Sequence, residues 1–188
     1  MMNNKDITSQ RKKEHLDLCL TDKVAFREKT NGFEQYDFIH CSITEVEIEN
    51  IDLSTKFLGK KISLPFLISC MTGGTEQSEN INAQLAIVAE QLNIPIGVGS
   101  QRHALESENL QSTYFVIRKN APTVPVLANI GAAEVVKYKN IDPFKRITEM
   151  INADGLVIHL NPLQELLQPE GTPHFSRLLT KIKFVTKQ

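Results

Sequence analysis

Apolar residues along this chain are bunched into four short runs, at residues 65–69, 94–98, 124–128 and 155–159, whose starts fall about thirty residues apart. Each run is continuous instead of alternating, which predicts strands of a parallel sheet covered by helices. Between the runs the period becomes helical: Ile81, Leu85, Val88, Ala89 and Leu92 share one face, as do Phe144, Ile147 and Ile151. The pattern is βα repeated four times. Residues 1–64 read differently, as a basic helical start over residues 10–20 and then a polar, glutamate-rich stretch with one alternating segment at residues 43–48. That predicts an arm and lead-in segment, 1–64, with a hairpin or strand in it, followed by the βα units, 65–188.

Two architectures accommodate four such units. One is the N-terminal half of a (β/α)8 TIM barrel; the other is an open, doubly wound α/β sheet, and spacing alone does not separate them. A closed barrel takes eight units and typically about 250 residues, more than the 188 here.

Composition narrows the function classes. With 41% hydrophobic and 23% charged residues the chain is of ordinary globular type. Lys plus Arg number 21 against 22 Asp plus Glu, so no global field recruits nucleic acid or an anionic membrane, and any anion site must be local. The longest apolar run, residues 64–68, is far short of the roughly 18 residues of a membrane helix, and the polar start has no apolar segment of a targeting signal behind it. Cys19, Cys41 and Cys70 are odd in number and lack C-x-x-C spacing, which argues against a disulfide framework or a zinc cage and predicts a cytoplasmic protein.

Ligands of parallel α/β folds sit over the carboxyl ends of the strands. Those positions hold Met71-Thr72-Gly73-Gly74, Gly99-Ser100-Gln101-Arg102, Asn129-Ile130-Gly131-Ala132 and His159-Leu160-Asn161-Pro162-Leu163-Gln164-Glu165. All four are polar or glycine-rich. The glycines either make tight turns or let backbone N–H groups approach a flat ring or a phosphate. No dinucleotide fingerprint or Walker loop is completed. Arg102 has the planar fork that takes a phosphate bidentately, or else a surface ion pair. Glu165 beside Gln164 suits magnesium, which is held through one or two carboxylates plus substrate phosphates. His159 is either a core histidine or a substrate contact, whereas His40, His103 and His174 share no metal-ligand spacing. The basic cluster around Arg11, Lys12 and Lys13 is either a solvated helix face or an anion clamp on an arm.

Taken in order, Arg-Lys-x-x-His at Arg11, Met-Thr-Gly-Gly at Met71, Gly-Ser-Gln-Arg at Gly99, Ala-Asn-Ile-Gly-Ala at Ala128, His-Leu-Asn-Pro-Leu-Gln-Glu at His159 and Pro-Glu-Gly at Pro169 resemble type II isopentenyl-diphosphate isomerases. The resemblance implies an FMN barrel enzyme interconverting isopentenyl and dimethylallyl diphosphates, with Mg2+ on the diphosphate and NADPH reducing the flavin. Carried over by motif, Met71, Thr72, Gly73, Ser100 and Asn129 would line FMN. Arg11, Lys12, Ser100, Gln101, Arg102 and Gln164 would hold the prenyl diphosphate, Glu165 would bind the metal, and His159, Asn161 and Gln164 would assist proton transfer.

Two departures from the family pattern stand out. Thr172-Pro173-His174-Phe175 replaces the usual Asp-Arg-Asn-Phe, losing a charged contact. The resemblance also reaches only the first half of a family member: the fifth strand, with its flavin-facing lysine, would begin where Gln188 stands. It therefore implies a self-paired homo-oligomer, a separate C-terminal half as partner, or a silent half barrel that does not retain FMN.

Overall fold

The computed structural model of the protein describes residues 10, 13–14, 16–168 and 171–187. Arg11, Lys12, His15, Pro169 and Glu170, which the motifs above include, lie outside them. Strands β1 (Thr55–Phe57) and β2 (Lys60–Ile62) form an antiparallel hairpin, closed by Leu58 and Gly59, both at positive φ, as a tight two-residue turn requires. This is the lead-in hairpin, but it lies beyond the alternating segment. Residues 43–48 form no strand and are exposed, because alternation makes a strand only where another strand pairs with it.

The helix α1 (Glu76–Leu92) starts at a capping box in which Thr75 and Ser78 bond reciprocally, and ends at Asn93 in the left-handed region. It buries a small-residue face, Ser78, Asn82, Ala86 and Ala89, against α3 (Ser112–Asn120). Val88 and Leu92, expected on the buried face, are instead nearly half exposed. Small side chains let the two helices approach closely and push the larger apolar ones to the flank.

β3 (Ile96–Gly97), β4 (Val126–Gly131) and β5 (Gly155–His159) form a parallel sheet in that order. The first apolar run contributes one bridge instead of a strand. Ile68 N donates to Pro95 O, and Gly97 N donates to Ile68 O. Pro65 has no N–H to offer a ladder, and Phe66 and Leu67 are exposed. The order from Ile68 through β5 follows the sequence without the reversal that defines a doubly wound sheet.

Ile96, Val98, Val126, Ala128 and Leu156 meet α1, α3 and the end of α5 (Asp142–Met150). Ile130 and Ile158 meet α4 (Ala132–Lys137), α5 and α7 (Leu178–Val185); Phe144, Ile147 and Ile151 are buried as expected. Helices thus cover one face of the sheet. Residues of the other parity, Gly97, Leu127, Asn129, Gly131, Gly155, Val157 and His159, make up the opposite face. The hairpin tip reaches its amino end, where a Cβ on Gly155 would meet Leu58. There Lys60 Nζ lies 2.7 Å from Asp154. Asp154 also pairs with the buried Arg118 at 2.7 Å, whose guanidinium donates to the carbonyls of Ala121, Pro122, Val124 and Asn152.

Candidate active site

Short helices start just past the carboxyl ends of β3, β4 and β5: α2 (Arg102–Glu106), α4, and α6 (Pro162–Leu167). They carry polar side chains around one pocket of about 90 Å³, lined by Ser100, Arg102, Glu134, His159, Asn161, Gln164 and Glu165, among others. Five of these are residues singled out in the sequence as substrate, metal or proton-transfer groups, together with Ser100. Glu134 is not.

His159 ends β5 on the face away from the helices. Its Nδ1 lies 2.7 Å from Asn129 Oδ1 on the neighbouring β4. Burial holds the imidazole below its ordinary pKa, helped by the Arg102 charge and opposed by Glu165. Asn129, the expected flavin contact, is buried, and its side-chain oxygen serves His159. Its amide also reaches the Cys70 thiol, which burial pushes up in pKa. Cys70 Sγ occupies the space a side chain at Gly97 would need, 2.2 Å from where its Cβ would lie.

Gln101 has a different task from the one its motif implied. It is fully buried, its Nε2 donates to Ile147 O at 2.8 Å, and its Oε1 accepts from Asn129 N at 3.0 Å. The amide ties β4 to α5. The next residue, Arg102, turns into the pocket instead, with Nη1 3.6 Å from Glu134 Oε1.

The first strand end is built on close packing. Gly73 has no room for a Cβ because the Tyr114 ring fills it, and Tyr114 Oη donates to Ser100 O at 2.9 Å. Thr72 O accepts from Gly99 N and from Asn82 Nδ2. Met71 is exposed on this rim, an apolar side chain that a flat ring system could cover; with Thr72 and Ser100 it fits one edge of a flavin. Lys13 and Gln10 line a second cavity, with Gly74, Thr75 and Glu76. The described part of the basic arm therefore lies beside the first βα loop, while Arg11 and Lys12 are outside the described residues.

Glu165 is buried on α6, its Oε1 accepting from Asn161 Nδ2 at 3.0 Å and its Oε2 from Thr172 N at 2.8 Å. Asn161 Oδ1 is buried with no hydrogen-bond partner. A carboxylate beside an unsatisfied amide oxygen is a hard-oxygen donor set, which fits Mg2+. Gln164 is exposed, its Oε1 accepting from Asn161 Nδ2 at 3.2 Å. Among the described residues no three His, Cys, Asp or Glu side chains converge to cage a metal, so substrate oxygens would have to complete the coordination. No helix among them is long and apolar enough to cross a membrane.

The chain matches known proteins over nearly its whole length. Residues 5–129 fit the family model described as FMN-dependent dehydrogenase, and the chain belongs to that family. Within it, the chain is 45% identical over 179 residues to an isopentenyl-diphosphate delta-isomerase of Pelodictyon phaeoclathratiforme, covering 95% of this chain and 50% of the relative. Proteins of the same name from a Nostoc species and from Cronobacter sakazakii are 47% and 45% identical, covering 93% and 98% of this chain and 50% and 53% of theirs. The chain spans about half the length of these curated relatives.

Proposed function

We propose that this chain is the first half of a (β/α)8 barrel and carries the diphosphate and cation side of an isomerase that interconverts isopentenyl and dimethylallyl diphosphates. The observation that carries the reading is the single pocket at three adjacent strand ends where Arg102, His159, Asn161, Gln164 and Glu165 meet. Moving a double bond requires a proton delivered to one carbon and removed from another while the diphosphate stays pinned. Arg102 would bind the diphosphate, joined by Arg11 and Lys12 from the arm. Glu165 and Asn161 Oδ1 would hold Mg2+ against it, with Gln164 at the entrance. His159, favoured in its neutral form by burial, would accept a proton at Nε2. Met71, Thr72, Gly73 and Ser100 would border FMN, and Asn129 would act on it only through His159. When bound and reduced at the expense of NADPH, the flavin supplies acid and base chemistry with no net redox change.

The remaining flavin phosphate contacts in such barrels come from loops after strands seven and eight. Four further βα units are therefore required, from a longer chain or from a partner polypeptide. The competing reading, a silent half barrel, is favoured by the partial exposure of every residue of β5, whose outer edge is unpaired among the described residues.

Visible absorption after gel filtration with FMN separates the two states. The 188-residue chain alone should lose the flavin, and the chain mixed with the C-terminal half of the Pelodictyon relative should retain it stoichiometrically. Stoichiometric flavin on the chain alone would overturn the need for a second half.

A further inference from the structure

Glu134 is the pocket residue that the reading above does not use. It sits on α4 just after β4 and is only 4% exposed. Its Oε1 faces Arg102 Nη1 at 3.6 Å, and its Oε2 accepts from Lys137 Nζ at 3.4 Å. Burial, and then the nearby Glu134 charge, push the Tyr138 phenol up to about 12. Arg102 and Lys137 each face one oxygen of this buried carboxylate.

Among the described residues, the charges at and beside this pocket balance. Arg102 and the more exposed Lys137 are the cations, and Glu134 and Glu165 are the anions. A pocket meant for bare diphosphate would leave its arginine unpaired and its field positive. Here the guanidinium already has a buried counter-ion, and an incoming bare diphosphate meets two carboxylates in a partly desolvated site, where like charges repel strongly. A divalent cation at Glu165 and Asn161 Oδ1 reverses that balance.

We propose that Glu134 is a specificity-determining residue which makes this pocket accept a cation-complexed diphosphate and reject the bare anion. The proposal rests on the diphosphate reading of the pocket and adds to it the source of its metal requirement.

Titration calorimetry of the full chain with inorganic diphosphate at low ionic strength, with Mg2+ and with chelator, tests it without flavin or turnover. The wild type should bind the magnesium complex at least about tenfold more tightly than the bare anion. Glu134→Gln should bind the bare anion about tenfold more tightly than the wild type does, shrinking the gap. Glu134→Met, which tolerates burial without a partner for its side chain, serves if the glutamine variant does not fold. Lys137→Gln should instead weaken both forms by a similar factor. Equal wild-type affinity for the two forms, or a gap unchanged in the Glu134 variants, would overturn the role of Glu134 alone. Absence of binding to the magnesium complex as well would overturn the diphosphate reading of the pocket, and this proposal with it.

Discussion

At the scale of single residues, His159 and Asn129 show what the strand register does for the chemistry. Register pairs His159 with Gly131, two positions beyond Asn129, so both side chains rise from the same face and meet. With Asn129 Oδ1 as acceptor, Nδ1 carries the proton and Nε2 keeps its lone pair. Nitrogen-15 NMR of the ring at neutral pH should show that tautomer; a protonated Nε2 would reverse the assignment. Because burial lowers the folded-state pKa below 6.5, the folded state binds fewer protons than the unfolded one, and stability falls as pH drops below about 6.5. Denaturant melts at pH 7 and pH 5 should show a loss for the wild type that shrinks in His159→Gln. Arg102, His159, Asn161 and Glu165 were legible in the sequence because strand ends are where such folds place ligands. Glu134 was not: it looks like an ordinary solvated glutamate at the start of an amphipathic helix, and its only signal was that a half-buried Arg102 needs a counter-ion. The buried position of Gln101 was not legible, because motif adjacency to Arg102 does not reveal that neighbouring side chains turn to opposite sides.

At the scale of elements, the four βα units were readable from apolar runs, yet their boundaries were set by tertiary contacts. β4 runs on to Gly131 because β5 pairs with it that far, whereas the first run shrinks to Ile68 because Pro65 precedes it and the following residues bend toward the pocket rim. That rim depends on Gly99, where an added Cβ would sit 2.6 Å from the Thr72 carbonyl carbon. Gly99→Ala should cost about 1–3 kcal/mol in chemical denaturation, with no loss if the backbone yields freely. At the opposite end, Asp154 is held below its usual pKa: burial works against this, but hydrogen bonds from Lys60, the Val126 amide and Arg118 outweigh it. Its contribution is present above the unfolded pKa and is lost as pH falls through the lower folded value, below about 3.8, a window separate from that of His159. Asp154→Asn, which leaves Arg118 buried without its counter-charge, should cost about 2 kcal/mol at neutral pH. A thermal scan showing an unchanged midpoint would contradict the latch between hairpin, α3 and β5.

At the scale of the whole molecule, large apolar side chains are exposed on several elements. Val88 and Leu92 on the flank of α1, Leu179 on α7, and Phe26, Phe33, Phe38 and Ile39 along the lead-in segment are all open, a pattern that ordinary monomeric surfaces avoid. Sequence spacing reported the repeat but not its closure, since each βα unit is locally complete and only the pairing of the outer edges tells a half from a whole. The pocket formed by β3, β4 and β5 is the part of the proposed isomerase site that would take the diphosphate and its cation. The most direct test is conversion of isopentenyl diphosphate to dimethylallyl diphosphate by the chain paired with the C-terminal half of the Pelodictyon relative, with reduced FMN and Mg2+, in wild type and in Glu165→Gln. Conversion should occur and fall at least about a hundredfold in the variant; a flavin-retaining pair that does not convert the substrate, or converts it equally well without Glu165, would overturn the role proposed for the pocket.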